Sequence, residues 1–197
     1  MQIAWDVKDF QISGGAGWNE SEHYDIEAVA TKPFEQDEYR AMIQTMLADR
    51  FGLVIHHAVE DRSGYALVVN RNGPKLPPPE EDSSVLFSRT ASGDRTLQAK
   101  SATMKQLASG LSFVLGKVVI DKTGIEGLYN VSMQWTPDPS NPLLNKSGMP
   151  DPGPPIDAAP GPTIYTVLQE KLGLKLESRK IPVDVIMIDQ ARRPSAN

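Results

Sequence analysis

The residues most able to do chemistry in this chain are its three histidines, two of which are adjacent, at His56 and His57. A histidine pair could bind zinc or act as a general base. Neighbouring residues on a β-strand point to opposite faces, however, so His56 and His57 cannot easily hold one metal ion together. His23 is distant in the sequence, and the chain contains no cysteine that could complete a zinc site or supply a thiolate. The sequence therefore predicts no metal site.

Two short motifs share residues with nucleotide-binding loops but lack the required context. The segment Asp121-Lys122-Thr123-Gly124 has the lysine and threonine of a P-loop, but neither the preceding glycines nor a helix after it. We interpret it as a structural turn, which Asp121 and Thr123 close by hydrogen bonds and Gly124 allows to reverse. Gly14 and Gly15 are also not followed by a helix, so we expect them to form a tight turn rather than to bind a dinucleotide. The sequence thus predicts no cofactor.

The aromatic residues are the better candidates for contact with a ligand. No serine lies in a nucleophile elbow and no histidine stands in a recognisable triad, so the residues favour binding over catalysis. Trp18 follows the glycine-rich turn and is the first candidate. Tyr24, Trp135 and the His56-His57 pair are further candidates, and core packing is the alternative for each aromatic residue.

Charge and hydropathy restrict the possible partners. The net charge is -5, and the longest basic cluster is a pair of arginines, which argues against nucleic acid. The chain contains no apolar run of about 18 residues, so we expect it not to span a membrane. It also contains no signal peptide. Residues 3–7 have the pattern of the last turns of a helix, which indicates that a targeting segment lies upstream.

The first part of the chain has the pattern of a strand, a helix and a hairpin. Apolar and polar residues alternate over residues 24–30, as in a half-buried strand. A helix is predicted from Asp37 to Gly52, because apolar residues recur on one face and glycine favours a left-handed stop. Strands at 53–59 and 65–69 follow, and the turn formers at 61–64 predict a hairpin between them.

The second part repeats this order. A strand at 129–135 is followed by a helix that begins near Pro162 and ends at Gly173. Strands at 174–179 and 183–188 then follow, around a predicted turn at 180–182. Several independent signals coincide, which indicates an internal duplication.

Further elements lie between and within the two halves. We predict a hairpin of residues 85–90 and 96–100, a helix over 103–115, and a proline-rich loop over 136–161. The predicted domains are residues 1–76 and residues 85–197, joined by a linker at 77–84; one pseudo-symmetric domain is the alternative. The fold class is α+β, with small, mostly antiparallel sheets each covered by helices.

Phrases spread over nearly the whole chain resemble a bacterial family known as domain of unknown function 3738, found mainly in soil bacteria. They include the segment Met46-Leu47-Ala48-Asp49-Arg50-Phe51-Gly52-Leu53, residues 11–15 with Trp18, and residues 24–28, 65–69, 73–76, 119–129 and 168–177, ending near Ile188-Asp189 and Arg193-Pro194-Ser195. This chain departs from the family at His56-His57, where members tend to have histidine followed by a basic residue. The helix, Gly-Leu and hairpin unit is also similar to the short N-terminal domains of secretins and TonB-dependent receptors, which is an analogy of fold alone.

The resemblance implies a periplasmic or secreted protein, because family members usually begin with a signal or a membrane anchor. Some members look fused to membrane metallopeptidases of the β-lactam-sensor type. No activity is established for the family, so no catalytic residue carries over. The sequence as a whole predicts a non-catalytic binding or sensing module for a protein, peptide or cell-envelope ligand. A hydrolase with an unrecognised active site and a structural assembly domain are the alternatives.

Overall fold

The computed structural model describes residues 1–15, 17–27, 35–80, 84–90, 93–137 and 161–194. These residues mix helices with strands in two small sheets, and the α+β class is therefore confirmed. In chain order the elements are α1 (Gln2–Trp5), a short 3-10 helix (Asp9–Gln11), β1 (Ile12–Gly14), α2 (Trp18–Ser21), α3 (Gln36–Phe51), β2 (Val54–Val69), β3 (Ser84–Arg89), β4 (Arg95–Ala102), α4 (Met104–Leu115), β5 (Val119–Asp121), β6 (Tyr129–Trp135), α5 (Ile164–Lys171) and β7 (Leu174–Gln190).

The strands form a four-stranded and a three-stranded sheet. The four-stranded sheet has the order β1-β7-β2-β5, with parallel pairing of β1 with β7 and of β2 with β5. The three-stranded sheet has the order β3-β4-β6 and is antiparallel throughout. The predicted hairpin of β3 and β4 is thereby confirmed.

The chain divides into two compact units. Unit 1 comprises Met1–Asp61 and Pro182–Asn197, and unit 2 comprises Arg62–Ile181. The boundaries between them fall inside β2 and β7. The predicted halves at 1–76 and 85–197, and the duplication on which they depend, stay predictions.

Unit 1 contains α1, α2 and α3 and, from the four-stranded sheet, β1 with the first part of β2 and the last part of β7. Short helix α1 overlaps the helical segment expected at residues 3–7, and its Ala4 carbonyl accepts a 2.6 Å hydrogen bond from the side chain of Gln44 in α3. Helix α3 ends at Gly52, whose φ of 55° is the predicted left-handed stop. At the end of β1, Gly14 has a φ of +77°, and a Cβ there would lie 2.8 Å from the carbonyl oxygen of Ile188. Glycine is therefore required where the chain leaves β1.

Unit 2 contains the main core. Helix α4 begins where Thr103 accepts a hydrogen bond from the backbone of Gln106, and the side chain of Gln106 reaches back to the backbone of Thr103. The core is built from α4, α5 and the inner faces of the strands; its largest fully buried side chains include Leu67, Leu97, Met104, Leu107, Leu111, Met133 and Leu168. Helices α4 and α5 and strand β6 were each predicted within two residues of their observed bounds.

Both predicted closing hairpins are wrong, because β2 and β7 each run without interruption through the expected turn. Gly64 is buried inside β2, and a Cβ there would collide with the side chain and the carbonyl oxygen of Val118. This glycine therefore allows two backbones to approach closely rather than reversing the chain. In β7, Ile181 at the predicted turn is only 4% exposed, so burial holds the segment in the sheet.

The predicted strand over 24–30 is also wrong in its first part, since residues 24–27 are irregular. The rest of that prediction, at 28–30, lies outside the described residues, as does most of the proline-rich loop, at 138–160. Of the predicted linker at 77–84, residues 77–80 are irregular, and β3 already begins at Ser84. Within the described ranges, no helix has the length and apolar character needed to cross a membrane.

Candidate functional site

Unit 1 gathers aromatic and charged side chains from three separate segments into what we call the Trp18 cluster: Trp18, Glu22, Tyr24, Phe51 and Arg193. The Trp18 and Tyr24 rings meet edge to face, with their centroids 6.3 Å apart. The Tyr24 ring in turn meets Phe51 at 5.5 Å and an interplanar angle of 75°. Edge-to-face pairs of this kind contribute beyond the area that they bury, so the three rings hold one another in place.

An ion pair lies at the centre of the Trp18 cluster. The guanidinium of Arg193 donates from Nε to both oxygens of Glu22, at 2.9 and 3.1 Å, and from Nη2 at 2.5 Å. The same guanidinium lies 5.8 Å from the centre of the Trp18 ring, as a cation–π contact requires. The phenol of Tyr24 is the second partner of Glu22 and donates to its Oε2 at 2.7 Å.

These contacts fix the protonation states in the Trp18 cluster. The hydrogen bond from Arg193, followed by that from Tyr24, holds the pKa of Glu22 below its usual value. The same bond to Glu22 raises the pKa of the Tyr24 phenol, and Glu22 also raises the pKa of Arg193. At neutral pH the carboxylate is ionised and its oxygens are occupied, so Glu22 is poorly suited to act as a general acid or base.

The segment after β7 is tied to the end of α3 beside the Trp18 cluster. The backbone N–H of Arg192 donates to the carbonyl oxygen of Phe51 at 2.6 Å. The Arg192 side chain passes over Gly52, 3.5 Å from the position that a Cβ would take. Residues at both ends of the sequence thus contribute to one preformed surface.

His56 forms a second polar contact in unit 1. Its Nδ1 lies 2.8 and 2.9 Å from the two carboxylate oxygens of Asp189, and both side chains are about half exposed, at 56% and 45%. A carboxylate at Nδ1 favours the tautomer in which Nδ1 carries the proton and Nε2 has the free lone pair. His57 is exposed and, by strand alternation, belongs to the opposite face. Among the described residues, no three histidines or carboxylates lie close enough together to hold a metal ion.

The remaining candidate residues are Trp135 and the turn after β5, both in unit 2, and the glycine-rich turn in unit 1. Trp135 is on β6, 3% exposed, and packs in the main core. The Asp121 carboxylate accepts from the backbone and the hydroxyl of Thr123 at 2.9 and 2.8 Å, and Gly124 follows with a φ of +68°. In the glycine-rich turn of unit 1, Gly15 has a φ of +90° and donates to the carbonyl oxygen of Ile188 at 3.1 Å.

Sequence reasoning named Trp18 and Tyr24, which the structure brings together, but assigned no role to Glu22, Phe51, Asp189 or Arg193. The two polar contacts join residues 133 and 171 positions apart, and no local pattern reports such a distance. One feature of the sequence could have indicated two of these residues, because Asp189 and Arg193 lie in the last two segments that resemble the family.

The structure is that of a mixed α+β protein. In its Trp18 cluster, the oxygens of Glu22 already accept hydrogen bonds from Arg193 and Tyr24. A family model described as "Protein of unknown function (DUF3738)" matches residues 1–191, so the chain belongs to that family. No curated protein and no solved structure matches the chain.

Proposed function

We propose that this chain is an extracytoplasmic binding or sensing module without catalytic activity, which recognises a protein, peptide or cell-envelope ligand through the Trp18 cluster. The observation that carries the proposal is the convergence of Trp18 and Tyr24 on the Glu22–Arg193 ion pair. The Tyr24 side chain remains 40% exposed although its hydroxyl is fixed. An exposed ring that is already held in position loses little conformational freedom when a ligand packs on it.

The chemistry of the Trp18 cluster suits a ligand with an apolar or aromatic face and a polar edge. Aromatic residues and arginine contribute most of the binding energy in many protein interfaces, because they combine large apolar area with hydrogen-bonding groups. The Glu22–Arg193 pair adds polar atoms of both charges beside the rings. A peptide side chain or a sugar ring of the cell envelope has these properties.

Nuclear magnetic resonance titration with a soluble peptidoglycan disaccharide-peptide, and with peptides from envelope proteins, tests the proposal. We expect the indole signal of Trp18 to shift on binding, and Tyr24→Ala to weaken binding about tenfold. Tyr39→Ala is the matched control, since Tyr39 also lies in unit 1 and is 39% exposed. If none of these ligands moves the Trp18 signal, or if the two variants behave alike, the Trp18 cluster is not the binding site.

The extracytoplasmic location is supported by the signals and anchors that the family resemblance implies. A fusion of the whole gene to alkaline phosphatase tests it, because that enzyme becomes active only after export. Strong phosphatase activity is expected. Activity from a fused reporter enzyme that works only in the cytoplasm, without phosphatase activity, would contradict the extracytoplasmic location.

The contact of His56 with Asp189 favours a hydrolase as the second candidate function. A carboxylate that orients a histidine through Nδ1 is one part of a catalytic triad, in which the nucleophile would lie beside Nε2. His56→Ala and wild type should be compared on chromogenic ester, amide and glycoside substrates. Turnover by wild type that His56→Ala abolishes would establish this candidate in place of the binding module.

A further inference from the structure

Strand β3 in unit 2 lies at the outer edge of the three-stranded sheet. Its residues Ser84–Arg89 pair antiparallel with Lys100–Arg95 of β4, in register over the full length of the strand. No described strand pairs with its other side. An edge of this kind presents a row of backbone donors and acceptors that another extended chain can use.

The register shows which backbone groups face outward. The N–H of Thr90 donates to the carbonyl oxygen of Asp94 at 2.9 Å, so this pair is hydrogen-bonded across the hairpin. Hydrogen-bonded and non-hydrogen-bonded pairs alternate along an antiparallel ladder. The backbones of Ser88, Leu86 and Ser84 are therefore also hydrogen-bonded to their partners in β4. The backbone N–H and C=O groups of the intervening residues, Val85, Phe87 and Arg89, point away from β4.

The opposite edge of the same sheet is covered instead. The N–H of Asn130, near the start of β6, donates to the carbonyl oxygen of Pro77 at 3.1 Å. Just beyond the end of β6, the N–H of Thr136 donates to Pro162 at 3.0 Å. Irregular segments thus use the outer groups of β6, whereas the described residues provide no such cover for β3.

Apolar side chains lie on both sides of the β3 edge. Leu86 is 57% exposed, and Phe87 packs on the exposed Phe113 of α4 with 5.8 Å between ring centres. The two residues are adjacent in the strand, so their side chains are on opposite faces of the sheet. Gly110 makes room for Phe87, since a Cβ there would lie 3.1 Å from its ring. Phe113 is 62% exposed, which leaves the aromatic pair open to a partner.

From this arrangement we propose that the β3 edge binds an extended segment of another protein as an additional strand. Natural edge strands are commonly blocked by proline, lysine or a bulge, and β3 has none of these over Ser84–Arg89. The backbone groups of Val85, Phe87 and Arg89 supply the ladder. Leu86 on one face and the Phe87–Phe113 pair on the other each select an apolar side chain of the partner, so apolar residues are expected at neighbouring positions of the partner strand.

The size of the edge favours a linear segment over a second copy of the chain. A stable complex of two folded proteins buries about 800 Å² on each partner. A strand of six residues with two exposed apolar side chains, Leu86 and Phe87, beside Phe113 of α4 offers much less than this. A short extended segment needs no more than the edge provides, because its affinity comes from main-chain hydrogen bonds and a few side-chain contacts.

Hydrogen exchange and peptide binding test the proposal in two steps. The amides of Val85, Phe87 and Arg89 are expected to exchange faster than those of Leu86 and Ser88. A short capped peptide with neighbouring valine and leucine residues at its centre and threonines at its ends should then protect the three fast amides, because it has apolar side chains on both faces. The same peptide with its alternate backbone nitrogens methylated keeps its side chains but loses ladder hydrogen bonds, and it should not bind. Equal binding by both peptides, or no protection by the first, would overturn the proposal.

Proline substitutions distinguish a loss of binding at the β3 edge from a loss of the fold. Val85→Pro removes an outward N–H and should weaken peptide binding at least about tenfold while the protein stays folded. Ser88→Pro is the matched control, because it removes a bond to β4 and should lower the melting temperature markedly. If Val85→Pro instead unfolds the chain, Phe113→Ala serves as the second variant, with an expected several-fold loss of binding. Unchanged binding in the folded variant would contradict the inference.

Sedimentation distinguishes a second copy of the chain from a linear segment as the occupant of the β3 edge. Sedimentation that shows a wild-type dimer, lost in Val85→Pro, would make a second copy the occupant and overturn the linear segment. Peptide binding at the β3 edge does not depend on the Trp18 cluster. Tyr24→Ala should leave this binding unchanged, so either proposal can fail without the other.

Discussion

Arg193 and Glu22 are 171 positions apart in the sequence, yet the guanidinium of one contacts both carboxylate oxygens of the other. Bidentate pairs of this type are shorter and stronger than single contacts, because the planar guanidinium matches the carboxylate. Here the pair holds the segment after β7 beside α2. The surface on which the proposed function depends is thus assembled from both ends of the chain.

The Glu22–Arg193 pair predicts a specific dependence of stability on pH. The pKa of Glu22 is lowered in the folded protein from an ordinary value of 4.5, chiefly by the hydrogen bond from Arg193. A carboxyl group whose pKa is lowered by folding stabilises the fold above its unfolded pKa, and this contribution is lost as the pH falls through the folded value. We expect wild type to be more stable than Glu22→Gln at pH 7, with the difference vanishing in acid.

Urea unfolding of both proteins across the acid range measures this difference. Glu177 also has a lowered pKa, caused first by its hydrogen bond with Lys175, but it is present in both proteins and cancels. The solvent exposure of the pair implies a modest effect. A difference that grows as the pH falls would contradict the assignment.

Gly64 provides a test of the uninterrupted strand β2. A Cβ at this buried position would collide with the side chain and the carbonyl oxygen of Val118. Because a backbone atom cannot move aside as a flexible side chain can, Gly64→Ala should lower the free energy of unfolding by about 1–3 kcal/mol.

Gly17→Ala is the matched control for Gly64→Ala. Gly17 has a φ of -55°, and a Cβ there would have no neighbour within 4 Å. A change within about 0.5 kcal/mol is expected in urea denaturation. Equal effects at the two glycines would favour a flexible turn at residues 61–64 over the close approach.

The helices were predictable because their signals are local. The stop of α3 at Gly52 and the start of α4 at Thr103 each depend on residues within one turn of the helix. Gly64 shows the limit of such reasoning, since glycine permits both a turn and a close backbone contact. Only the position of Val118, distant in the sequence, decides between them.

The Trp18 cluster was predictable in part for the same reason. Aromatic residues beside a glycine-rich turn indicated Trp18 and Tyr24, whereas their charged partners could not be chosen among the chain's 20 lysines and arginines and 25 carboxylates. Alternation over residues 24–27 was misleading, because Tyr24 packs against the Phe51 ring rather than in a sheet and Ile26 is 56% exposed.

Trp135 was a candidate for ligand binding, and its surroundings allow a direct test of that role. It is 3% exposed among the side chains of the main core. Trp135→Ala is therefore expected to lower the free energy of unfolding by about 3–5 kcal/mol, because it removes buried apolar area and leaves a cavity. Trp135→Phe should cost less, since it refills most of the volume. Loss of ligand binding in a Trp135→Phe protein of unchanged stability would restore the binding role.

The loop after β5 gives the last prediction. The Asp121 carboxylate accepts hydrogen bonds from both the backbone and the hydroxyl of Thr123. Asp121→Ala leaves these donors without their acceptor and should cost about 1–2 kcal/mol in urea denaturation. Asp121→Asn keeps a side-chain oxygen at the same place and should remain close to wild type. If the turn is purely structural, neither change alters ligand binding by a folded protein; a loss of binding in Asp121→Asn without a loss of stability would assign the loop a functional role.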